Sequence, residues 1–423
     1  MMKMKLTAEQ QALLDGEEGE VMAKVMKTLV MYGECFGADK MLPVSSKKGH
    51  LVTSFGISMM KAVFELMDEL IAAGVVSAQE FTVDPRPLDK NVPSSFLQDI
   101  VFKIMYSKQA DYEVQLEQMG LISDDAFTCT CYMDEVGNTP QEGEILSWAE
   151  SSAVVYANSV LGARCNRNSG IIEMFGSIAA FVPHFGLLTD EGRKATWIIE
   201  VDTKEKPEAQ VLGSAIGMAV MEDVPYIKGL SKWLGTELNG QAKDYLKDMG
   251  AATASNGAVG LFHVEDLTPE ARSQGEDLIA EGAQTIRIDD EELARVKAAY
   301  PVMWKNKDAV PKLCFVGCPH LSLRQLHEWT RNLSERLDKG KVKIPTVFTT
   351  APAVAQKFKQ TADYMRLQDM GVVVSSICPL MYMNNPLCGK MPVITNSNKL
   401  RTYTSSRYCS DAEVLEAIVK GGL

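Results

Sequence analysis

Apolar side chains recur at helical spacing through the first part of the chain. The spacing is clearest in the series Val21, Met22, Val25, Met26, Leu29 and Val30. Intervals of three and four place such residues on one face of a helix. Similar spacing predicts helices over 57–73 and 96–119, and a run rich in small residues predicts a closely packed helix over 145–162. We therefore expect residues 1–250 to form a helix-rich N-terminal lobe.

After about residue 250 the pattern changes to short apolar runs that alternate with helical segments. The apolar runs predict buried strands over 258–264, 285–288, 313–316, 346–348, 372–377 and 392–395. The intervening segments predict helices near 269–281, 291–300, 321–337, 354–370 and 412–420. This alternation is typical of a doubly wound sheet. The expected class is α/β, with a doubly wound C-terminal lobe over 251–423.

Polar residues follow several of these predicted strands at the point where each strand ends. They occur at 317–320, 349–350, 378–379 and 396–397. Ligands of open α/β sheets bind beyond the carboxyl ends of the strands. The pattern therefore predicts a functional crevice at that edge of the sheet.

Composition narrows the functional classes. Hydrophobic residues make up 46% and charged residues 23% of the 423 positions, which excludes disorder, collagen and coiled coil as the main architecture. The net charge of −12 disfavours nucleic acid and anionic membranes as partners, so a small anionic substrate needs a local cationic pocket. The N-terminus shows no apolar targeting core, and the apolar stretch 171–188 is too interrupted to span a bilayer. We expect a cytoplasmic protein.

The nine cysteines are expected to be thiols, metal ligands or catalytic groups, since no export signal accompanies them. Their local spacing matches neither a zinc ribbon nor a ferredoxin. Cys318 and Cys378 end two predicted strands, so with a third cysteine from the other lobe they could hold an iron-sulfur cluster. His50 and His320 are placed for substrate binding or proton transfer, although a structural role is equally open for both.

Several longer motifs resemble the large subunit of the aconitase X family, whose members are iron-sulfur hydro-lyases. The resemblance covers nearly the whole chain and is strongest over residues 148–164. It is carried by Leu14-Asp15-Gly16-Glu17, Thr128-Cys129-Thr130, Trp148-Ala149-Glu150-Ser151-Ser152, Gly317-Cys318-Pro319-His320 and Thr395-Asn396-Ser397-Asn398-Lys399. An aconitase-like catalytic core is the fold that this resemblance implies.

The resemblance also implies a set of site residues. Cys129, Cys318 and Cys378 match the cysteines that hold the family's cluster, and three thiolates leave one iron open as a Lewis acid. Arg164, Asn166 and Arg167 are implied to bind the substrate carboxylate, for which the forked donors of arginine are suited. Further members of the implied pocket are His50, Ser151, Ser152 and His320 as catalytic candidates, and Asn396, Ser397 and Lys399 as substrate ligands.

Family members dehydrate cis-3-hydroxy-L-proline or mevalonate 5-phosphate, and they use a small swivelling part that is fused or separate. No segment here resembles that swivel domain, so a separate small subunit is the expected partner. The segment after Arg167 favours cis-3-hydroxy-L-proline as the substrate, with mevalonate 5-phosphate second. Cys131 and Cys165 depart from the family pattern and indicate neutral drift or an altered cluster. A non-catalytic binding or iron-sensing protein of the same fold is the alternative from another class, and a protein with buried thiols and no metal is the third.

Overall fold

The computed structural model describes residues 4–53, 55–337 and 340–423. Residues 1–3, at the start of the N-terminal stretch that is predicted to have no targeting core, lie outside these ranges. Helices dominate up to residue 180, as predicted. They are α1 (Ala8–Asp15), α2 (Glu20–Cys35), α3 (Lys61–Ala72), α4 (Phe96–Met105), α5 (Gln109–Met119), α6 (Ser151–Ser159) and α7 (Gly170–Ala179). The single helix predicted over 96–119 is two helices, because α4 ends before the turn that leads into α5.

Two small sheets accompany these helices. Strand β1 (Met41–Pro43) pairs antiparallel with β4 (Phe181–Pro183), and β2 (Lys48–Leu51) pairs parallel with β3 (Glu80–Val83). The register of the second pair sets His50 opposite Thr82. This pairing places His50 of β2 close to Asp84, the residue that follows β3.

A parallel four-stranded sheet forms the middle of the molecule. Its order is β7 (His263–Val264), β6 (Pro225–Lys228), β5 (Ala195–Asp202) and β8 (Ile279–Asp289). Of the strand predicted at 258–264 only residues 263–264 form a strand, and both they and the strand predicted at 285–288 belong to this sheet and not to the one that follows. The predicted helix at 269–281 is wrong in its second half, because the chain turns at Gly275 and enters β8 at Ile279. The helices of this part are α8 (Ala209–Val220), α9 (Ser231–Leu234), α10 (Gly240–Asn256), α11 (Pro269–Gln274) and α12 (Asp290–Ala298).

A second parallel sheet of five strands follows. Its order is β11 (Val372–Ser375), β10 (Thr346–Thr350), β9 (Leu313–Leu321), β12 (Val393–Thr395) and β13 (Arg407–Tyr408). The chain runs outward from β9 through β10 to β11 and then crosses back to β12 on the other side of β9. The α/β class and the doubly wound pattern are confirmed. A topological switch point lies between β9 and β12, where such sheets bind ligands.

Helices on the second sheet are α13 (Leu323–Leu337), α14 (Pro352–Lys359), α15 (Ala362–Asp369), α16 (Pro379–Met383), α17 (Asn398–Tyr403) and α18 (Asp411–Lys420). The segment predicted as one helix over 354–370 is two, because Thr361 caps α15 with its side chain. Short 3-10 turns occur at 186–188, 191–193, 275–278 and 388–390. No helix in the described ranges is both long and apolar enough to cross a bilayer.

Candidate functional site

A cavity of about 410 Å³ lies at the switch point of the five-stranded sheet and reaches into the helical N-terminal part. All three cysteines of the predicted cluster site line it. So do Asp84, Glu150, Ser151, His320 and Lys399, together with apolar residues that include Phe55, Pro85, Met381 and Tyr403. A larger cavity of about 750 Å³ beside α12 and α18 is lined by none of the predicted site residues.

The three cysteines reach the cavity from three separate segments. Cys318 lies within β9, directly after Gly317, whose φ of +104° belongs to the left-handed region. A Cβ at Gly317 would lie 2.5 Å from the Thr349 carbonyl oxygen, so only glycine lets the chain turn here. Cys378 precedes α16 and is held by a backbone hydrogen bond, in which its N–H donates to the Arg86 carbonyl at 2.8 Å. Cys129 lies on a loop two residues after Phe127, which forms a bridge with Val83 at the end of β3.

The donor set of the cavity fits a soft metal centre, because it contains three thiols. Burial raises the pKa of all three thiols, that of Cys378 to about 12, so each keeps its proton unless a cation replaces it. Among the described residues, no group of three His, Cys, Asp or Glu side chains converges closely enough for a lone metal ion. Three thiols that line one cavity are donors of the type that iron-sulfur clusters use.

A buried ion pair crosses the cavity wall. Glu150 caps α6, where its carboxylate accepts hydrogen bonds from the Ala153 N–H at 2.8 Å and from the Ser152 hydroxyl at 2.5 Å. The same carboxylate pairs with the Lys399 ammonium from α17. Burial raises the pKa of Glu150, but Lys399 outweighs it and lowers the pKa to about 2, while Glu150 raises that of Lys399. Both groups are therefore charged at neutral pH.

Asp84 is the second carboxylate of the cavity and was missed by the sequence analysis. Burial raises its pKa to about 6, although His50 opposes the shift. His50 lies behind it, with Nε2 3.5 Å from the Asp84 carboxylate and Nδ1 2.8 Å from the Thr82 hydroxyl. Burial lowers the pKa of His50, but Cys131 and Asp84 raise it more, to about 10. The signal for Asp84 was weak, since the residue stands before two prolines and resembles the start of a linker.

His320 lines the cavity in a neutral form. Burial lowers its pKa to about 4. Nε2 lies 3.1 Å from the Ile377 carbonyl oxygen, and Nδ1 lies 3.0 Å from the Thr128 hydroxyl. The carbonyl can only accept, so Nε2 carries the proton and Nδ1 accepts from Thr128. The two hydrogen bonds of His320 thus connect β9 to the segment that bears Cys378 and to the segment that bears Cys129.

Of the predicted serines and Asn396, Ser151 lines the cavity and the others form hydrogen bonds outside its lining. Ser151 lines the cavity, whereas Ser152 donates to Glu150. Ser397 caps α17 and donates its hydroxyl to the Cys318 carbonyl oxygen, which fixes the turn that bears that thiol. The Asn396 amide donates to Asp411 at 2.8 Å.

The three predicted ligands of the substrate carboxylate do not line the cavity. Arg164 pairs with Asp190 at 2.6 Å. The Asn166 side chain bridges the backbone at 185 and 187. Arg167 donates one NH2 group to the Ala254 carbonyl oxygen at 3.1 Å, and its other terminal nitrogen is buried with no hydrogen-bond partner among the described residues. Lys399 is the cation that the fold brings to the cavity instead.

Three family models match the chain. They describe the first, second and third domains of aconitase X, over residues 3–191, 195–298 and 311–419. The phosphomevalonate dehydratase large subunit of Thermococcus kodakarensis is 32% identical, over 95% of this chain and 95% of that protein. The cis-3-hydroxy-L-proline dehydratase of Pseudomonas aeruginosa is 26% identical, over 99% of this chain and 70% of that protein. The crystal structure of Thermococcus kodakaraensis aconitase X in its holo-form is 28% identical, with a TM-score of 0.80 over 99% of this chain and 100% of that one.

Proposed function

Since this chain belongs to the aconitase X family, we propose that it is the large subunit of an iron-sulfur hydro-lyase that dehydrates a small hydroxy acid. The observation that carries the proposal is the meeting of three cysteines from distant segments in one cavity with a buried ion pair. The part of the chain before residue 250 supplies Cys129 and the carboxylates. The remainder supplies Cys318, Cys378 and Lys399. The cytosol is the compartment that goes with this proposal.

Cys129, Cys318 and Cys378 would hold the cluster. A cluster bound by three thiolates supplies a Lewis acid that polarises the hydroxyl leaving group of the substrate. Pro319, Leu380 and Met381 give part of the cavity wall an apolar surface. Exclusion of water strengthens the charge interactions that orient a substrate.

The charges of the cavity favour a zwitterionic substrate. Among the described lining residues Lys399 is the only Lys or Arg, and it faces Asp84 and Glu150. A substrate carboxylate fits beside Lys399, and a substrate ammonium fits beside Asp84. cis-3-Hydroxy-L-proline carries both groups together with a hydroxyl. A phosphorylated substrate would bring about 1.5 to 2 further negative charges to a cavity whose one Lys or Arg among the described lining residues is already paired.

Asp84 is the group of this chain best suited to exchange a proton. A carboxyl group with a pKa of about 6 changes its charge close to neutral pH. Since the pKa of His50 is raised to about 10, its charged imidazolium, 3.5 Å from Asp84, stabilises the carboxylate when the proton leaves. His50 and Asp84 thus act together, with Asp84 facing the substrate and His50 behind it.

Mevalonate 5-phosphate is the second candidate, because the matching large subunit from Thermococcus kodakarensis is more similar to this chain than the hydroxyproline enzyme is. The designation of that relative as a large subunit also supports a separate small subunit as the partner here.

Both substrates test the proposal in one assay. The chain is purified anaerobically with its small subunit, and loss of water from each compound is followed by mass spectrometry. We expect turnover of cis-3-hydroxy-L-proline, and loss of it in the Asp84→Asn variant. Turnover of mevalonate 5-phosphate alone would establish the second candidate. Binding of either compound without turnover, in protein that holds its cluster, would contradict the hydro-lyase and indicate a binding protein.

A further inference from the structure

Helix α4 presents an apolar face to solvent. Phe96 is 77% exposed, Leu97 63% and Ile104 66%, and Ile100 is exposed as well. The neighbouring Met59 is 88% exposed. We call these five residues the α4 face. Single exposed apolar residues are ordinary on a protein surface, but a contiguous group of large ones marks a binding surface.

Helical geometry places the four members of this group that belong to α4 on one side of the helix. Positions 96, 97, 100 and 104 lie within an arc of about 100° at 3.6 residues per turn. The opposite side of the helix is already buried, since Gln98 and Phe102 point inward and the Phe102 ring lies 5.1 Å from that of Tyr382. A surface helix normally has polar residues on its outer side. Here the outer side carries large apolar residues instead, which indicates that another surface covers it.

The α4 face adjoins the cavity. Tyr106, the residue after α4, donates its hydroxyl to the carbonyl oxygen of Met381 at 2.8 Å, and Met381 lines the cavity. At the same end, the Ser58 hydroxyl donates to the Ile104 carbonyl oxygen at 3.0 Å, which holds the segment between the cavity residue Phe55 and Met59 against α4. A protein that covers the α4 face is therefore in position to reach the cavity.

We propose that the α4 face is the docking surface of the small subunit. This inference rests on the proposed function, which assigns such a partner from the naming of the relatives as large subunits. A subunit that completes the cavity has to rest beside it, and α4, which carries this apolar surface, shares a hydrophobic core with the cavity wall through Phe102 on its inner side. Asp99 and Lys103 flank the face and supply the polar rim that interfaces of this kind have. Apolar anchors at the centre of such an interface contribute most of its affinity.

The test is an affinity measurement with charged variants. The large chain is titrated with the homologue, from the same genome, of the phosphomevalonate dehydratase small subunit, by calorimetry under anaerobic conditions. Leu97→Glu/Ile104→Glu places two charges on the α4 face, and Phe96→Ala/Ile100→Ala removes apolar area without adding charge. The control is Met365→Glu, an equally exposed position on α15, which packs against α13 and α14. Iron content and circular dichroism verify that each variant is folded and loaded.

We expect at least tenfold weaker binding in the charged variant, a smaller loss in the alanine variant, and unchanged binding in the control. Wild-type affinity in both face variants would overturn the docking surface and leave the proposed function intact. No binding by the wild-type chain would overturn the docking surface and the assignment of the partner. Self-association of the wild-type chain that the charged variant abolishes would show that a second copy covers the face, and would also overturn the proposal.

Discussion

Replacement of Lys399 by methionine tests the electrostatic account of the cavity. Methionine keeps most of the length of lysine and removes the ammonium. The partner, Glu150, is 6% exposed, so a carboxylate left alone there has little water to solvate it. Removal of one member of a buried pair costs about 3 to 5 kcal/mol, because the remaining charge is uncompensated. We expect Lys399→Met to be strongly destabilising.

The lowered pKa of Glu150 gives the size of the expected loss in the free energy of unfolding. Its fall from 4.5 to about 2 corresponds to roughly 3 kcal/mol, at about 1.36 kcal/mol per pKa unit. Because the pKa is lowered in the folded state, this contribution is complete above pH 4.5 and disappears as the pH falls towards about 2. The Glu150→Gln/Lys399→Met double variant removes both charges and recovers much of the loss.

The assay is a double-mutant cycle at neutral pH. Urea unfolding is followed by tryptophan fluorescence in iron-free, reduced protein, so that cluster binding does not add to the stability of any variant. We expect a coupling free energy of at least about 2 kcal/mol. A coupling below about 0.5 kcal/mol, the size found for exposed pairs, would refute the description of Glu150 and Lys399 as a buried ion pair.

Three further variants test the cluster site, a buried carboxyl group on α7 and the backbone turn beside Cys318. Cys318→Ser should abolish iron binding, measured by colorimetric iron analysis, whereas Cys35→Ser, at an exposed thiol, should not; equal iron in both would remove Cys318 from the cluster. Burial raises the pKa of Glu173 to about 8, so the stability of the wild-type chain should fall as the pH rises from about 4.5 to 8, and Glu173→Gln should flatten that dependence in urea unfolding; an unchanged slope would contradict it. Gly317→Ala should lower the melting temperature more than Gly143→Ala, since both positions have positive φ but only the first would set its Cβ 2.5 Å from backbone; equal shifts would show that the neighbouring strand yields.

The meeting of Cys318 and Cys378 at one edge of the sheet was predictable from the sequence, because parallel strands present their carboxyl ends at the same edge, although β9 continues past the predicted end at 316 and includes Cys318. The carboxyl ends of β9 and β12 meet at one edge, so residues after two distant apolar runs come together whatever lies between them. Cys318 and Lys399 line the cavity for that reason. Cys129 reached the prediction only through the family motif, since it follows a loop with no regular pattern.

Residue type alone does not determine which partner an arginine finds in the fold. Arg164 has the donors that a carboxylate needs, and here it pairs with Asp190 and is not among the residues that line the cavity. Asp84 carries no local signal, because its pKa depends on burial by residues far away in the sequence. Long-range packing, which determines burial and partners, is the part of the site that one sequence does not reveal.

Iron and acid-labile sulfide per chain, measured after anaerobic purification, test the central claim most directly. Three thiols that share one cavity predict iron and sulfide in stoichiometric amounts, lost together in the Cys129→Ser, Cys318→Ser and Cys378→Ser variants. Absence of iron and sulfide from the wild-type chain, even after reconstitution with both under reducing conditions, would contradict the cluster site and the hydro-lyase that depends on it.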